Sequence, residues 1–530
     1  MGLDPTLLDQ WLSRSAGRYP TKEAIVCGSD RWPYRKLNAC ANRLAESLVD
    51  LGVARQDRVA VSLGNCPETI VSLFGTLRAG ATCVPLEGST KARRLRYVLE
   101  DSGARVLIAR GNQAEILAEA LESWEKELTI IWVGPSPRVR LAGGISSVTW
   151  ESVFARLQET DEHEYDVACD KFPRRIDLDL AAIIYTSATT GRAKGVMCTH
   201  YNMIAAARSI IQYLGNDERD IILDVLPLSF GYGLYQVLVS CMVGATVVIE
   251  RSFLYPHLTL SRLAQENVTG FPLVPSIAAM LLRMENIGDY DFSTLRYITN
   301  AGAALPVGHL RRLRRLVPQA ELFNMYGLTE CVRVCYLSGA ELDERPASVG
   351  HPMPNCEVRI VDEAGNTVAP GEPGELTIRG SNVMQGYWND PEMSARTYHA
   401  GQYPVSRWLH SGDFFRTDEA GYLYFLGRRD DMIKTRGERV SPKEIEDVVC
   451  ELESIVEAAA IGVPDDILGQ AVKVFVVDGQ GTLSEKDIMR HCAKRLEPLM
   501  VPKYLEFVEA LPKTGRGKIN RRELQTAKGE

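Results

Sequence analysis

The sequence lacks the local patterns of metal and redox sites. Its 12 cysteines include no Cys-x-x-Cys pair, and the closest two, Cys331 and Cys335, match no metal or redox spacing. Its 8 histidines form no His-x-His or His-x-x-x-His cluster, which argues against a histidine-built metal site. A basic excess is missing too: 60 Lys and Arg stand against 68 Asp and Glu, a formal charge of −8. Such a chain has no field for coating DNA or an anionic membrane, although a local basic pocket for a phosphorylated ligand stays open. Residues Met1–Gln10 carry neither a basic n-region nor an apolar h-region, so no signal peptide is expected. Internal repeats and low-complexity tracts are absent. One charge-free run, Val225–Ile249, is long enough to cross a bilayer. Pro227, Gly231, Gly233 and Gly244 interrupt it, Ser229, Gln236 and Ser240 add polarity, and it reads as strand, turn, helix and strand within a core. These absences point to a reduced, cytoplasmic protein with no membrane span and no nucleic-acid partner.

What is present is ordinary globular composition, 45% hydrophobic and 24% charged. At roughly 150 residues per domain, 530 residues suggest about three to four domain-sized units. Apolar strands at Arg58–Ser62, Thr82–Leu86 and Arg105–Ala109 alternate with helical patterns such as Pro67–Arg78, with Pro67 suited to a first turn. A second series begins at Ala181–Tyr185 and continues through Ile221–Leu228, Ala245–Glu250, Val268–Val274, Leu295–Thr299 and Glu321–Asn324. This alternation predicts α/β subdomains with mostly parallel sheets. Glu159–Arg175 is polar and acidic and reads as a surface connection. After Ser348, short alternating strands at Glu357–Val361, Gly374–Arg379 and Gly421–Phe425 predict a small β-barrel. The last hundred or so residues return to mixed α and β. His309–Arg315 reads as a solvated basic helix face.

Four segments carry chemistry. In Tyr185–Val196 a buried strand enters a loop of hydroxyls, glycine and Lys194, a combination that suits a polyphosphate. Its spacing is not that of a P-loop, and a helical pattern is expected from about Cys198. Asn324–Glu330 follows an apolar strand, which brings Thr329 and Glu330 to the end where α/β sheets bind ligands. A glutamate there suits a hard cation such as Mg²⁺. His410–Asp413 with Gly427–Val440 offers Asp413 to sugar hydroxyls and Arg428 to ribose or phosphate. Leu511–Glu523 is a Gly-flexed basic loop presenting Lys518.

In this order and spacing, the four segments resemble the adenylate-forming superfamily of acyl-CoA synthetases, peptide-synthetase adenylation domains and luciferases. The resemblance runs from Trp32–Leu37 to Glu523 and takes in Thr299–Pro306, Val349–Asn355 and Gln385–Trp388. It implies a large N-terminal AMP-binding domain, 1–429, made of two α/β subdomains (about 1–175 and 176–347) and the β-barrel (348–429). A small mobile α+β lid, 430–530, follows. It further implies an acyl-CoA ligase that joins a carboxylic acid to AMP and passes the acyl group to CoA, using ATP and Mg²⁺ with acyl-AMP as intermediate. By resemblance, Thr186, Ser187, Thr189, Thr190, Gly191 and Lys194 hold the β- and γ-phosphates, Thr329 the α-phosphate and Glu330 the Mg²⁺. Gly302, Ala303, Ala304, Asn324, Tyr326 and Gly327 shape the AMP site, with Tyr326 stacked on adenine. Asp413 and Arg428 hold ribose, and Lys518 bridges carboxylate and α-phosphate. Asp430 is the hinge about which the lid turns to present Arg436, Gly437 and Glu438 to CoA, with Lys434 and Arg439 as further CoA-phosphate contacts.

Three departures bear on the reaction. Ala188 and Ala193 replace the glycine and proline usual in the phosphate loop, so a ligase that performs only the thioester half-reaction from a preformed acyl-adenylate is an alternative. The partner would then include a separate adenylating enzyme. In Leu226–Gly233, Phe230 stands where many CoA ligases carry histidine, and Gly231 where amino-acid-activating relatives carry the aspartate that pairs with a substrate ammonium. An α-amino acid would leave a buried cation unpaired, so the acid is not an α-amino acid. Phe230, Gly231 and Ala301, with Gly233 and Ala303, outline an acyl pocket for a bulky group. A carrier-protein ligase and a non-catalytic adenylate binder are the remaining alternatives. Oligomeric state is not legible.

Overall fold

The computed structural model describes residues 4–135, 137, 143–155, 172–186, 193–403, 406–435, 438–465, 468–514 and 518–526. Two large, mostly parallel sheets form the body. The first runs in space Ile145–Thr149, Leu128–Val133, Val106–Arg110, Arg58–Ser62, Thr82–Leu86, Leu180–Tyr185, Gly195–Thr199, with only the last strand antiparallel. The second is nine-stranded, with Glu321–Tyr326, Tyr297–Asn300, Gly270–Leu273, Ile221–Asp224, Thr246–Ile249 and Glu23–Cys27 parallel at its centre.

The division near residue 175 does not follow these sheets. Glu23–Cys27 pairs with Thr246–Ile249 in the second sheet, while Leu180–Tyr185 pairs with Thr82–Leu86 in the first. Leu180–Tyr185 is expected as a strand from Ala181, whereas Glu23–Cys27 is not singled out in the sequence. The sheet each joins is decided by which distant edge is free to pair, which local periodicity does not encode.

Helix Pro67–Arg78 lies on the first sheet, with its proline in the first turn, and helix Gly231–Val243 lies on the second. Helix His200–Leu214 touches both the first sheet and Gly231–Val243. One apolar core therefore runs continuously between the sheets. Helix Gly231–Val243 is buried on every side, which accounts for its charge-free sequence. Among the described residues no helix is long and apolar enough to cross a membrane.

Strands Cys356–Val361, Gly374–Gly380, Arg407–Thr417, Tyr398–Ala400 and Leu423–Arg428 form an antiparallel sheet. Among the described residues no pairing closes it into the expected barrel. The long strand Arg407–Thr417 takes three partners, and Cys356–Val361 is left at an edge. The C-terminal unit is a second five-stranded sheet, Glu438–Val440, Ile433–Thr435, Gly469–Asp478, Ile455–Asp465 and Tyr504–Phe507, with helices Pro442–Val449 and Glu485–Arg495. It meets the body at several points. The Ser441 hydroxyl donates to Leu426 O, Arg416 pairs with Glu444 at 3.3 Å, and Met432 packs with Phe414 and Leu426. His309, expected on a solvated face, is buried here, since helix Val307–Leu316 packs beside Cys450 and Val456. Burial, then Arg312, Arg283 and Lys443, push its imidazole down to about 4.

Candidate active site

The hydroxyl-rich loop joins Leu180–Tyr185 to Gly195–Thr199, so it is the turn of an antiparallel hairpin. The helix expected from about Cys198 begins instead at His200, and Thr199 caps it by accepting from Asn202 N at 3.1 Å. The residues before it are held as strand by pairing with Leu180–Tyr185, so no helix N-terminus follows the loop directly. Ser187, Ala188, Thr189, Thr190 and Gly191 lie outside the described residues. At the base of the loop Thr186 N donates to Lys194 O at 2.9 Å, and the Tyr97 hydroxyl donates to Ala193 O at 2.9 Å.

Gln385–Trp388 docks on this hairpin: Gln385 N donates to Met197 O and Trp388 N to Gly195 O, at 2.9 and 2.7 Å. That docking sets Tyr387 between two separate motifs. The Lys194 ammonium lies 5.3 Å from the Tyr387 ring centre, and the Tyr387 hydroxyl donates to Glu330 Oε1 at 2.8 Å. Burial and the Glu330 charge both push the Tyr387 phenol up, keeping it a donor. Tyr387 was visible in the sequence only as part of a supporting segment.

After Glu330 the chain turns sharply. Val332 adopts φ 63°, a left-handed conformation unfavourable for a β-branched residue, and Arg333 N donates back to Cys331 O at 2.8 Å. The Asn382 amide holds this turn by donating to Cys331 O and Arg333 O at 3.0 and 2.8 Å. A Cβ on Gly327 would lie 2.1 Å from Val332 O, so only glycine fits there. Asn324 is buried, accepting from Asn300 Nδ2 and donating to Ser348 O, both at 3.0 Å. It ties neighbouring strands together and leaves Tyr326 and Gly327 at the strand end.

The Tyr326 hydroxyl donates to Asp413 Oδ2 at 2.6 Å, and its ring meets Phe415 edge-on with centroids 4.8 Å apart. Arg428 Nε stands 3.8 Å from Asp413 Oδ1. Burial pushes the Asp413 carboxyl up, while Arg428, the Tyr326 hydroxyl and Lys518 pull it back. The Lys518 charge is thus felt at Asp413. Lys518 itself closes a turn in which Thr514 N donates to Lys518 O at 2.7 Å. Glu375, missed in the sequence, shapes the bulge before Asp413 by accepting from Gly412 N at 2.9 Å and bonding His410 at 3.3 Å. Its only sequence signal is an acidic residue beside a predicted turn.

Among the residues expected to outline the acyl pocket, a Cβ at Gly231 would meet nothing within 4 Å, so there is space where the helix begins. Phe230 is half-buried at the N-cap, Ala301 is buried, and Gly302 sits at φ 87° between Ala301 and an exposed Ala303, with Ala304 half-buried. Gly233 does not add space. A Cβ there would fall 2.6 Å from Pro227 O, so this glycine serves the close approach of helix and preceding turn. Asp430 lies in the exposed turn joining Leu423–Arg428 to Ile433–Thr435, and Glu438 and Lys434 are exposed on the hairpin that follows. Arg436, Gly437 and the Arg439 side chain lie outside the described residues.

Among the described residues no three His, Cys, Asp or Glu side chains gather to hold a metal alone. Glu330, as one carboxylate, still fits Mg²⁺, which takes one or two protein carboxylates and completes its shell with phosphate oxygens and water.

The family model of AMP-binding enzymes matches residues 12–388, and that of their C-terminal domain matches residues 444–518. The chain belongs to the AMP-binding enzyme family. It is 32% identical to a long-chain-fatty-acid–CoA ligase of Escherichia coli O157:H7, over 98% of this chain and 94% of that one. It is 31% identical to an indoleacetate–CoA ligase of Aromatoleum aromaticum, over 98% and 97%. The crystal structure of an anthranilate CoA ligase in complex with anthranoyl-AMP superposes with a TM-score of 0.87 at 26% identity, covering 99% of this chain and 98% of that one. In this AMP-binding enzyme the four sequence segments converge as two linked groups, Lys194–Tyr387–Glu330 and Tyr326–Asp413–Arg428 with Lys518.

Proposed function

We propose that this AMP-binding enzyme is an AMP-forming acyl-CoA ligase acting on a bulky carboxylic acid that is not an α-amino acid. The observation that carries the reading is the meeting of separate motifs in space, Lys194 and Glu330 through Tyr387 and Tyr326 with Arg428 at Asp413, in a chain that also retains Lys518. An adenylate binder without chemistry has no need of that lysine. The fatty-acid, indoleacetate and anthranilate CoA ligases among its relatives support the reading.

In the first half-reaction a carboxylate oxygen of the acid attacks the α-phosphorus of ATP, giving acyl-AMP and releasing pyrophosphate. In the second the CoA thiolate attacks the acyl carbonyl carbon and AMP leaves. The first step brings two anions together, and fixed cations offset their repulsion. In this reading Lys518 spans the acid carboxylate and α-phosphate, and Thr329 donates to the latter. Thr186, Ser187, Thr189, Thr190, Gly191 and Lys194 hold the β- and γ-phosphates. Glu330, oriented by Tyr387, would hold Mg²⁺, which when bound neutralises phosphate charge. Asp413 and Arg428 take the ribose, with Tyr326 and the Gly302–Ala304 edge flanking adenine. Residues 430–530 then act as a lid turning at Asp430, exchanging Lys518 for the Arg436–Glu438 hairpin at the CoA channel. The 11 described cysteines are all free, and a reducing, cytoplasmic setting goes with this reading.

A panel of acids tests it, each supplied once with ATP, Mg²⁺ and CoA and once as its synthetic adenylate with CoA alone. Acyl-CoA from both routes is expected. Product from the adenylate alone would assign the first half-reaction to another enzyme and make Ala188 the residue to revert to glycine. No thioester by either route would sink the ligase reading.

A further inference from the structure

Arg333, three residues beyond Glu330, is only 5% exposed and forms no ion pair with a carboxylate among the described residues. Its guanidinium lies 4.1 Å from the Tyr232 ring centre, and Nη1 donates to Val332 O at 3.1 Å. Its Nε is buried with no hydrogen-bond partner. A second buried donor nearby is in the same condition: the Tyr235 hydroxyl is partnerless although its residue is 1% exposed. Arg333 also hydrogen-bonds the Tyr213 phenol, and its charge is felt at Tyr232 and Tyr235, which marks one cluster. Asp224, whose charge also reaches Tyr232, forms no ion pair with Arg333, and its Oδ2 is buried without a hydrogen-bond partner. Burial pushes that carboxyl well up, and its Oδ1 is engaged by Leu226 N at 3.0 Å.

A buried guanidinium without an anion, beside an unsatisfied hydroxyl, is costly unless something completes it. The cluster's position says what that something is. Tyr232 and Tyr235 belong to the helix that begins at Gly231, where the space for the acyl group opens, and the Tyr232 hydroxyl bonds Thr299 O at 2.9 Å just before Ala301. We propose that Arg333 and Tyr235 form the far end of the acyl site and receive an acceptor oxygen on the body of the acid, a second carboxylate or a ketone. The substrate is then an acid with a polar group remote from the carboxylate that is activated, an inference that rests on the ligase reading above.

The test uses matched acids on linear and on ring scaffolds, each as hydrocarbon, ketone and dicarboxylate, with kcat/KM for acyl-CoA as readout. The wild type is expected to favour one oxygenated member over its hydrocarbon match by roughly 10- to 100-fold, the size of hydrogen bonds to a charged donor. Which member wins distinguishes anion from ketone. Arg333→Met and Tyr235→Phe are each expected to lower kcat/KM for that member far more than for the hydrocarbon, shrinking the ratio at least 5-fold. A wild type that prefers the hydrocarbon, or variants that lose activity equally on all members, overturns the proposal. If Arg333→Met does not fold, Tyr235→Phe and the wild-type ranking still decide. Turnover of hydrocarbon acids alone removes this inference and leaves the ligase reading standing. Absence of product from every acid removes both.

Discussion

The proposed nucleotide-facing and acyl-facing halves of the site are built on opposite plans. On the nucleotide side Glu330 accepts from Tyr387, Asp413 from Tyr326, and Asn324 from Asn300, so the working groups are held before any ligand arrives. On the proposed acyl side Gly231 leaves open space, and Arg333 Nε and the Tyr235 hydroxyl have no hydrogen-bond partner among the described residues. The first plan suits chemistry that does not vary, because electrostatic catalysis works best when dipoles and charges are already oriented. The second suits recognition of one particular acid, because a site that needs its substrate's acceptor penalises any acid lacking it.

Lys518→Ala is the harshest way to test that contrast. Adenylate formation is expected to fall about 1,000-fold, roughly 4 kcal/mol, while thioester formation from a synthetic adenylate falls far less. Equal loss in both half-reactions, followed separately by pyrophosphate release and by acyl-CoA, would refute the division of labour. Next in size is the response to acid. His200, bonded through Nδ1 to Leu8 N at 3.2 Å, and His309 at the seam with the C-terminal unit are both pushed down to about 4, chiefly by burial. A lowered histidine contributes stability above its ordinary value of 6.5, and that contribution drains away as pH falls toward 4. Urea unfolding at pH 7 and pH 5 should therefore show a loss of about 2 kcal/mol per histidine, reduced in His309→Gln. Unchanged stability would place solvent at both rings.

Tyr387→Phe removes the hydrogen bond to Glu330 and keeps the ring beside Lys194. A roughly 10-fold drop in adenylate formation is expected, with the apparent KM for Mg²⁺-ATP raised and thioester formation spared. The smallest effect is steric. Gly231→Val fills open space, so kcat/KM should fall about 3- to 10-fold for bulky acids and less for short ones. A uniform fall across the panel would mean that Gly231 is not at the acyl group.

Much of the nucleotide side was legible in the sequence because its chemistry is carried by short contiguous segments at strand ends. Lys194, Glu330, Asp413 and Lys518 were each singled out that way, and they are the residues that the proposed reaction uses. Tyr387 and Glu375 were not found as individual contributors, since each acts through a residue distant in sequence and nothing local marks a tyrosine or glutamate as a clamp. Arg333 was missed for another reason. A charged residue in a loop is ordinarily solvated, and only packing against Tyr232 and under the Val332 turn reveals it as buried. Gly231 and Gly233 looked alike in the sequence, yet one borders space and the other a carbonyl 2.6 Å away.

By itself the sequence determined the family, the strand and helix alternation, and the residues that meet ATP in the proposed reaction. These depend on local periodicity and on donor types that must lie within one loop. Only the tertiary structure decided that Glu23–Cys27 and Leu180–Tyr185 exchange sheets, that His309 lies in a seam, and that Arg333 Nε and the Tyr235 hydroxyl are buried without partners. Those outcomes depend on which remote surfaces exclude water together, a property of the packed chain that no stretch of neighbouring residues contains.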